Sequence, residues 1–583
     1  MKKKFIQLIV TFFLIAIVGG ILIGGKIIER YTPTKEKADL YEYYGIGKED
    51  IVILMQGEQI EERAIIKEGR YYVPLSLIQN RISSRFYWDD SVGQMVFTTP
   101  LDLYKFSIGE TTYSINGETT ENGFAVIIKE KEKIYLALDF AQEYSDFYYE
   151  VYSEPSRVLI YYRWEETDYV TATKDTQVRI RGGIKSEILK EVKEGERLFF
   201  QEAMEDWSRV QTTDGLQGYI KKDCIGEVTQ EFLANKKGYQ EPEYSSISRE
   251  KKINLAFHQI GGSCDGSTIA AAMSGVSGVN VVAPTWFFLS ADDGTLVSRA
   301  SKDYVNTAHN MGLEVWGLVE NMTYEASTYR AVSNMASREY LVRQLIDYAL
   351  EYNLDGINVD FEALSFDAEE GFIQFIRELS IVCRRNQIVL SIDNYVPTAS
   401  SAHYNRKEQG IVADYIIIMG YDEHYAGMAE YGSTASIGFV EEGIVNTLKE
   451  VPAHKVINAI PFYTRVFKQM PVSLATESDP GVLVEDTSSE FGRYLLSSQA
   501  VSMATAKQLL ANHGVTPFWD DLLGQYYGEY MSDGCKYMVW VEDETSIGLK
   551  MKLIQDYELA GVAEWSLNLA ENGIWGVVES YLK

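Results

Sequence analysis

Residues Leu354–Leu364 read LDGINVDFEAL. Three carboxylates and an amide lie inside an apolar run. A buried strand carries that much polarity only where something uses it. Side chains alternate along a strand. Asn358, Asp360 and Glu362 therefore share one face, and Ile357, Val359 and Phe361 share the other. The pattern predicts a strand with a polar face toward a central axis and an apolar face toward covering helices. Glu362 comes last, with Asp360 one pleat repeat below it, about 6.6 Å along the strand. Carboxyls stacked in a dry site raise one another's pKa, so a neutral Glu362 could protonate a leaving oxygen.

Working outward, similar apolar runs recur from Lys252 onward, separated by helical stretches. They are INLAFHQI (from 253), NVVAPTWFFL (280), LEVWGLV (313), the opening run (355), IVLSIDNYV (388), ADYIIIMGYD (413), KVINAIPFY (455) and GVAEWSLNL (561). Continuous apolar runs alternating with helices imply buried parallel strands. Eight of them imply an α/β fold, a (β/α)8 TIM barrel, with its site at the C-terminal strand ends. His258-Gln259, Trp286, Asp393-Asn394, Tyr421-Asp422, Tyr463 and Trp565 are expected at that rim. The gap from about Arg465 to Asp543 predicts a small inserted subdomain before the last strand.

A chain of 583 residues exceeds one ordinary core. Its formal charge of −30 lacks the basic footprint that nucleic acid requires. Cys224, Cys264, Cys383 and Cys535 are widely spaced, with no CxxC pair, so no zinc site is expected. No cofactor is expected.

The N-terminus, MKKKF, precedes an apolar stretch from Phe5 to about Gly25. As a helix that stretch would span about 31 Å, against a hydrocarbon core of roughly 30 Å. Residues 1–25 are expected to be a cytoplasmic tip and an uncleaved, single-pass transmembrane signal anchor. The lysines hold the N-terminus inside, so the remainder lies outside the cell membrane. A cleaved signal peptide is the alternative.

Residues 26–45 read as a linker. Residues 46–165 hold two similar stretches, Gly69–Thr99 and Glu132–Tyr162, each with a strand, an amphipathic middle, an aromatic cluster and a closing strand. This α+β stalk resembles the copper amine oxidase N-terminal domain, with no metal ligands standing out. Residues 166–228 alternate short strands and turns and resemble a bacterial SH3-like β barrel. Residues 229–250 are polar and read as a second linker, and 251–583 as the catalytic domain.

Asp355-Gly-x-Asn358-x-Asp360-x-Glu362 resembles the DGxDxDxE signature of family 18 glycoside hydrolases, the chitinases and their relatives. Asn358 replaces the second Asp, a departure shared with the spore and cell-wall N-acetylglucosaminidase branch. MGYDEH (Met419–His424), IPFYTR (Ile460–Arg465) and WVEDETS (Trp540–Ser546) are similar to further motifs of the family. Glu564, before Trp565, departs from the branch's apolar or aromatic residue. The resemblance implies a retaining, substrate-assisted mechanism, in which the sugar's own 2-acetamido oxygen attacks the anomeric carbon. Glu362 would be the general acid, Asp360 the acetamide guide, and Tyr421 the donor to the acetamide oxygen. Asp422, Trp565, Asn358, Met419 and Tyr463 would bind substrate, with Trp565 as the floor.

Blander readings stand beside these. The carboxylate strand could hold Mg²⁺ or Ca²⁺. Asp422 could cap a helix. Trp286 and Trp565 could be core, and His258 is expected to be structural. The functional expectation is a membrane-anchored, extracytoplasmic glycosidase cleaving β-1,4 bonds next to N-acetylglucosamine in peptidoglycan. Chitin or a glycoprotein glycan is the alternative substrate. A catalytically silent wall-binding protein and a stalked scaffold are the competing classes.

Overall fold

The computed structural model describes residues 2–571 and 573–582. The side chains of Lys2, Lys4, Leu22, Ile23 and Ile27 lie outside the described residues. The chain divides into two compact units. One comprises residues 1–86, 106–113 and 121–241, and the other 87–105, 114–120 and 242–583.

In the first unit, a helix runs from Lys2 to Tyr31, past the expected end at Gly25 and into the expected linker. Among the described residues, no helix is long and apolar enough to cross a membrane. Part of the expected anchor, Leu22 and Ile23, falls on side chains outside the described set. The stalk repeat is visible as element order. Strand Arg70–Pro74 runs into helix Leu75–Arg81, and strand Lys133–Ala137 runs into helix Leu138–Glu143. Residues 166–232 form a seven-stranded sheet. Its last strand, Thr229–Phe232, pairs with Glu166–Tyr169. Residues 229–232 are therefore a sheet edge, a correction to the linker expectation: backbone pairing recruits a segment with no apolar period of its own.

In the second unit, eight parallel strands close a barrel: Ile253–His258, Val281–Leu289, Glu314–Glu320, Gly356–Asp360, Val389–Tyr395, Tyr415–Met419, Val456–Pro461 and Gly561–Trp565. Two apolar layers result from strand alternation. Leu255, Phe257, Trp316, Leu318, Ile417 and Ala563 fill the interior. Ile357, Val359 and Phe361 meet the helices outside. Between the seventh and eighth strands, six antiparallel strands and helix Met503–Asn512 form the inserted subdomain.

Trp286 is not at the rim. It is fully buried in the outer layer, edge-on to Tyr304 with centroids 4.9 Å apart. Its Nε1–H points at Cys264 Sγ, 3.3 Å away. Its place in the second strand turns it away from the axis that Ala283 faces. His258 is buried against the Tyr304 hydroxyl at 2.8 Å. Asp355 accepts from the Val315 amide at 2.8 Å and lies 2.8 Å from His309 Nε2, tying together the bases of the third and fourth strands. WVEDETS is a fold element: Asp543 caps helix Glu544–Asp556, and Glu542 is buried against Lys550 at 3.0 Å.

Residues 87–105 pack within the barrel unit. Arg338 is completely buried and donates to Asp89 at 3.0 Å and to Glu378 at 2.9 Å. The Met335 amide donates to Ser91 Oγ at 3.2 Å, and Arg385 pairs with Asp102 at 3.1 Å.

Glu564 points with Val562 toward the helix layer. It is wholly buried and neither carboxyl oxygen has a hydrogen-bond partner among the described residues. Burial holds its carboxyl well above the ordinary carboxylate range, so the folded protein keeps the proton. The unfolded chain releases it near 4.5, so stability is lost as pH rises above that value. Glu564→Met is expected to stabilise the fold by about 1 to 3 kcal/mol. The gain should be larger at about pH 8 than at about pH 5. Thermal melts at the two pH values check this, and an unchanged midpoint at both would contradict it.

Candidate active site

The fourth strand carries the polar face that its alternation predicts. Asn358 and Asp360 are buried and face the axis. The strand ends at Asp360, and Glu362 stands just beyond it. Ala363 then takes φ +50°, which turns the chain out of the strand direction. Asn321, at the end of the third strand, holds this exit on both sides. Its Oδ1 accepts from the Glu362 amide at 2.8 Å, and its Nδ2 donates to the Glu362 carbonyl at 2.9 Å. The Tyr395 hydroxyl donates to Glu362 Oε2 at 2.8 Å and accepts from the Ala363 amide at 3.2 Å. Backbone and carboxyl of Glu362 are thus both fixed.

Asp360, Glu362, Met419, Tyr421, Asp422, Tyr463 and Trp565 line one small cavity of about 150 Å³, together with Tyr395. Asn358 lies one pleat deeper, donating to Asp393 at 2.8 Å and to Ser391 at 3.0 Å. It is not a lining residue. Tyr463 donates to Asp422 Oδ1 at 2.7 Å, and Arg465 approaches the same oxygen at 3.4 Å. Asp422 adopts φ +58° and caps no helix. Tyr421 packs edge-on to Tyr463, with centroids 6.1 Å apart, and its hydroxyl has no partner among the described residues. Trp565 leans on Phe257, with ring centroids 5.3 Å apart. A second pocket of about 560 Å³ continues past Glu362, bounded by Leu364, Val396, Tyr404, Tyr425 and Phe439.

The electrostatics follow from burial among like charges. Burial is the largest effect raising the Glu362 carboxyl, and Asp422 and Glu320 add to it, while the Tyr395 hydrogen bond opposes. Asp360 is held well above its usual range by burial, then by Asp393, Glu362 and Glu320. Asp393 is pushed up to about 8 by burial and Glu362, against the Asn358 hydrogen bond. Burial keeps the Tyr421 phenol protonated, a donor at any working pH. The cavity is thus lined by a carboxyl that keeps its proton to higher pH than an ordinary glutamate and by a phenol that stays protonated. Among the described residues, no group of three or more His, Cys, Asp or Glu is arranged to hold a metal ion.

Sequence reading placed the lining residues but missed Tyr395, Asn321 and Glu320. Tyr395 carried a signal: in IVLSIDNYV, alternation puts Ser391, Asp393 and Tyr395 on one face. Asn321 lies one residue past its strand and gave none.

Residues 232–570 match the model of glycosyl hydrolases family 18. The chain belongs to that family and carries its glycosidase domain. Residues 54–160 match the copper amine oxidase N-terminal domain. The uncharacterized glycosylase YvbX of Bacillus subtilis is 23% identical over 51% of this chain and 83% of its own. The cortical fragment-lytic enzyme of the same organism is 21% identical over 49% of this chain and 64% of its own. The crystal structure of a chitinase from Chromobacterium violaceum covers 57% of this chain and 99% of its own, at 22% identity and a TM-score of 0.48.

A general acid must be protonated to act. If Glu362 is the general acid that the family resemblance implies, activity should fall as pH rises through its titration, which burial moves above 4.5. The Tyr395 hydrogen bond favours the anion, so Tyr395→Phe should move this alkaline limb to higher pH. A pH profile of kcat/KM for both proteins checks this, and a limb moving to lower pH would contradict it.

Proposed function

We propose that this protein is a membrane-anchored, extracytoplasmic glycosidase. It cleaves β-1,4 bonds next to N-acetylglucosamine in peptidoglycan by the retaining, substrate-assisted route. The observation that carries the reading is one small cavity lined by Glu362, Asp360 and Tyr421, with burial raising the Glu362 carboxyl above its ordinary range. Glu362 gives its proton to the glycosidic oxygen. Asp360 holds the acetamide N–H and balances its growing positive charge, and Tyr421 aims the acetamide oxygen at the anomeric carbon. Trp565, backed by Phe257, gives the reacting ring an apolar floor. Tyr463 and Arg465 hold Asp422 toward a sugar hydroxyl.

Three features favour a wall polymer over chitin. Asn358 follows the wall-lytic branch, and a cortical fragment-lytic enzyme is among the relatives. Phe5, Leu8 and Phe12 on the N-terminal helix are 70%, 72% and 71% exposed, apolar surface suited to lipid. The test incubates the full chain in mild detergent with purified peptidoglycan and, separately, with chitooligosaccharides, and measures new reducing ends. Release from peptidoglycan supports the reading, and release from chitooligosaccharides alone replaces the substrate with chitin. No release from either favours a wall-binding protein without catalysis. Recovery of the intact chain with membranes after cell fractionation supports the anchor, and quantitative release of a shortened form refutes it.

A further inference from the structure

The motif lacks one carboxyl at Asn358, and the structure supplies one on the neighbouring strand. In the barrel register Glu320 pairs with Asp360, and Val359 pairs with Ile392. One residue further along, Asp393 lies level with Asp360. Three inward carboxyls therefore stand side by side on the third, fourth and fifth strands, where neighbouring strands are about 4.8 Å apart. Asp360 and Asp393 are 8% and 3% exposed. The Asn358 amide donates to Asp393 Oδ1, which fixes that oxygen as an acceptor. Asp360 Oδ1 is buried with no hydrogen-bond partner among the described residues, which leaves it free to share a proton. Glu320 is tethered through one oxygen only, its Oε1 being buried without a partner among the described residues. Its Oε2 accepts the Met322 and Thr323 amides of its own turn.

We propose that Asp393 is a positioning residue that shares one proton with Asp360, doing the work of the acid group that Asn358 cannot supply. This rests on the reading of Asp360 as the acetamide guide. Two buried carboxyls so close cannot both ionise, so one proton serves the pair. In the resting site the proton lies between them. When positive charge grows on the acetamide, the O–H bond on Asp360 breaks and one forms on Asp393, leaving Asp360 anionic where the charge is needed. No proton is gained or lost. The groups acting on Asp393 are Asp360 and Glu362 from the fourth strand, Tyr421 beyond the sixth and the donating Asn358 amide, with Glu320 one strand further away beside Asp360. Among the described residues none of these carboxyls is ion-paired, so no cation fixes where the proton resides.

The test uses Asp393→Asn, and the exchange Asn358→Asp with Asp393→Asn, which moves the acid group back to the fourth strand. The substrate is the aryl β-glycoside of N,N′-diacetylchitobiose. Asp393→Asn should lower kcat on the order of 10²-fold with KM little changed, and alter the acid limb of the pH profile. The exchange should recover about ten-fold or more of that loss. Asp393→Asn with Glu320→Gln, which restores no acid group on the fourth strand, should show no such recovery. An exchange no better than Asp393→Asn alone, with both proteins folded, would overturn the proposal. A readout independent of turnover is the infrared C=O stretch of a protonated carboxyl at neutral pH, taken as the parent-minus-variant difference so that the Glu564 band cancels. It should be lost or shifted in Asp393→Asn and return in the exchange. If no substrate is cleaved but this band behaves as described, the proton-sharing pair stands and the functional reading falls. If the parent is active and the band is indifferent to Asp393, the pair falls.

Discussion

Glu362→Gln is expected to lower kcat by about 10² to 10⁴ while leaving the fold intact. Glutamine matches the shape of glutamate and can still accept from Tyr395, and Asn321 binds only the backbone at this position. What is lost is the proton. The leaving oxygen would then depart as an alkoxide from a cavity crowded with carboxyls, where negative charge is least welcome. KM should change little, because the carboxyl proton is used in the transition state and not in ground-state binding. Reducing-end release and a thermal melt of the same preparation check both halves. A variant as active as the parent would remove Glu362 from its role. A variant that melts far below the parent would make its loss of activity a folding effect.

The second large effect concerns stability. Arg338 bridges Asp89 and Glu378 with no solvent contact. Its guanidinium also lies 5.1 Å from the Tyr87 ring centre and donates to the Val332 carbonyl at 2.9 Å. Arg338→Met would leave two buried acidic side chains without their counter-charge. The expected cost is about 3 to 5 kcal/mol, measured by denaturant unfolding of the barrel. Replacing all three members with apolar residues should cost far less, because the penalty lies in the unpaired charge and not in the lost pair. A cost below about 1 kcal/mol for Arg338→Met would show that water or rearrangement reaches the site. A barrel produced without residues 87–105 has a related defect. It lacks Asp89 and uncovers Arg338 and Met335, so it should be less stable than the full chain.

The barrel was legible because each strand carries its own record of alternation. Ile357, Val359 and Phe361 could be assigned to the helices, and Asn358, Asp360 and Glu362 to the axis, from one strand alone. What sequence could not supply was the alignment of one strand against the next. Asp393 was readable as a rim residue but not as the partner of Asp360, since that depends on the register between strands. Trp286 is a different miss: an aromatic near a strand end was placed at the rim, although the parity of its own strand, shared with Val282, sends it outward. The docking of residues 87–105 depends on contacts across more than two hundred positions, and no local pattern announces them. Tyr395 is the instructive miss, because its parity with Asp393 was present in the run IVLSIDNYV.

The measurement closest to the central claim compares kcat/KM for two aryl β-glycosides, one of N,N′-diacetylchitobiose and one of cellobiose. They differ in whether the 2-position bears an acetamide or a hydroxyl. If the acetamide oxygen is the nucleophile, guided by Asp360 and Tyr421, the first is cleaved and the second is not detectably cleaved. Comparable rates on both would mean that a protein carboxylate or water attacks the sugar, and that Asp360 and Tyr421 do not guide an acetamide nucleophile.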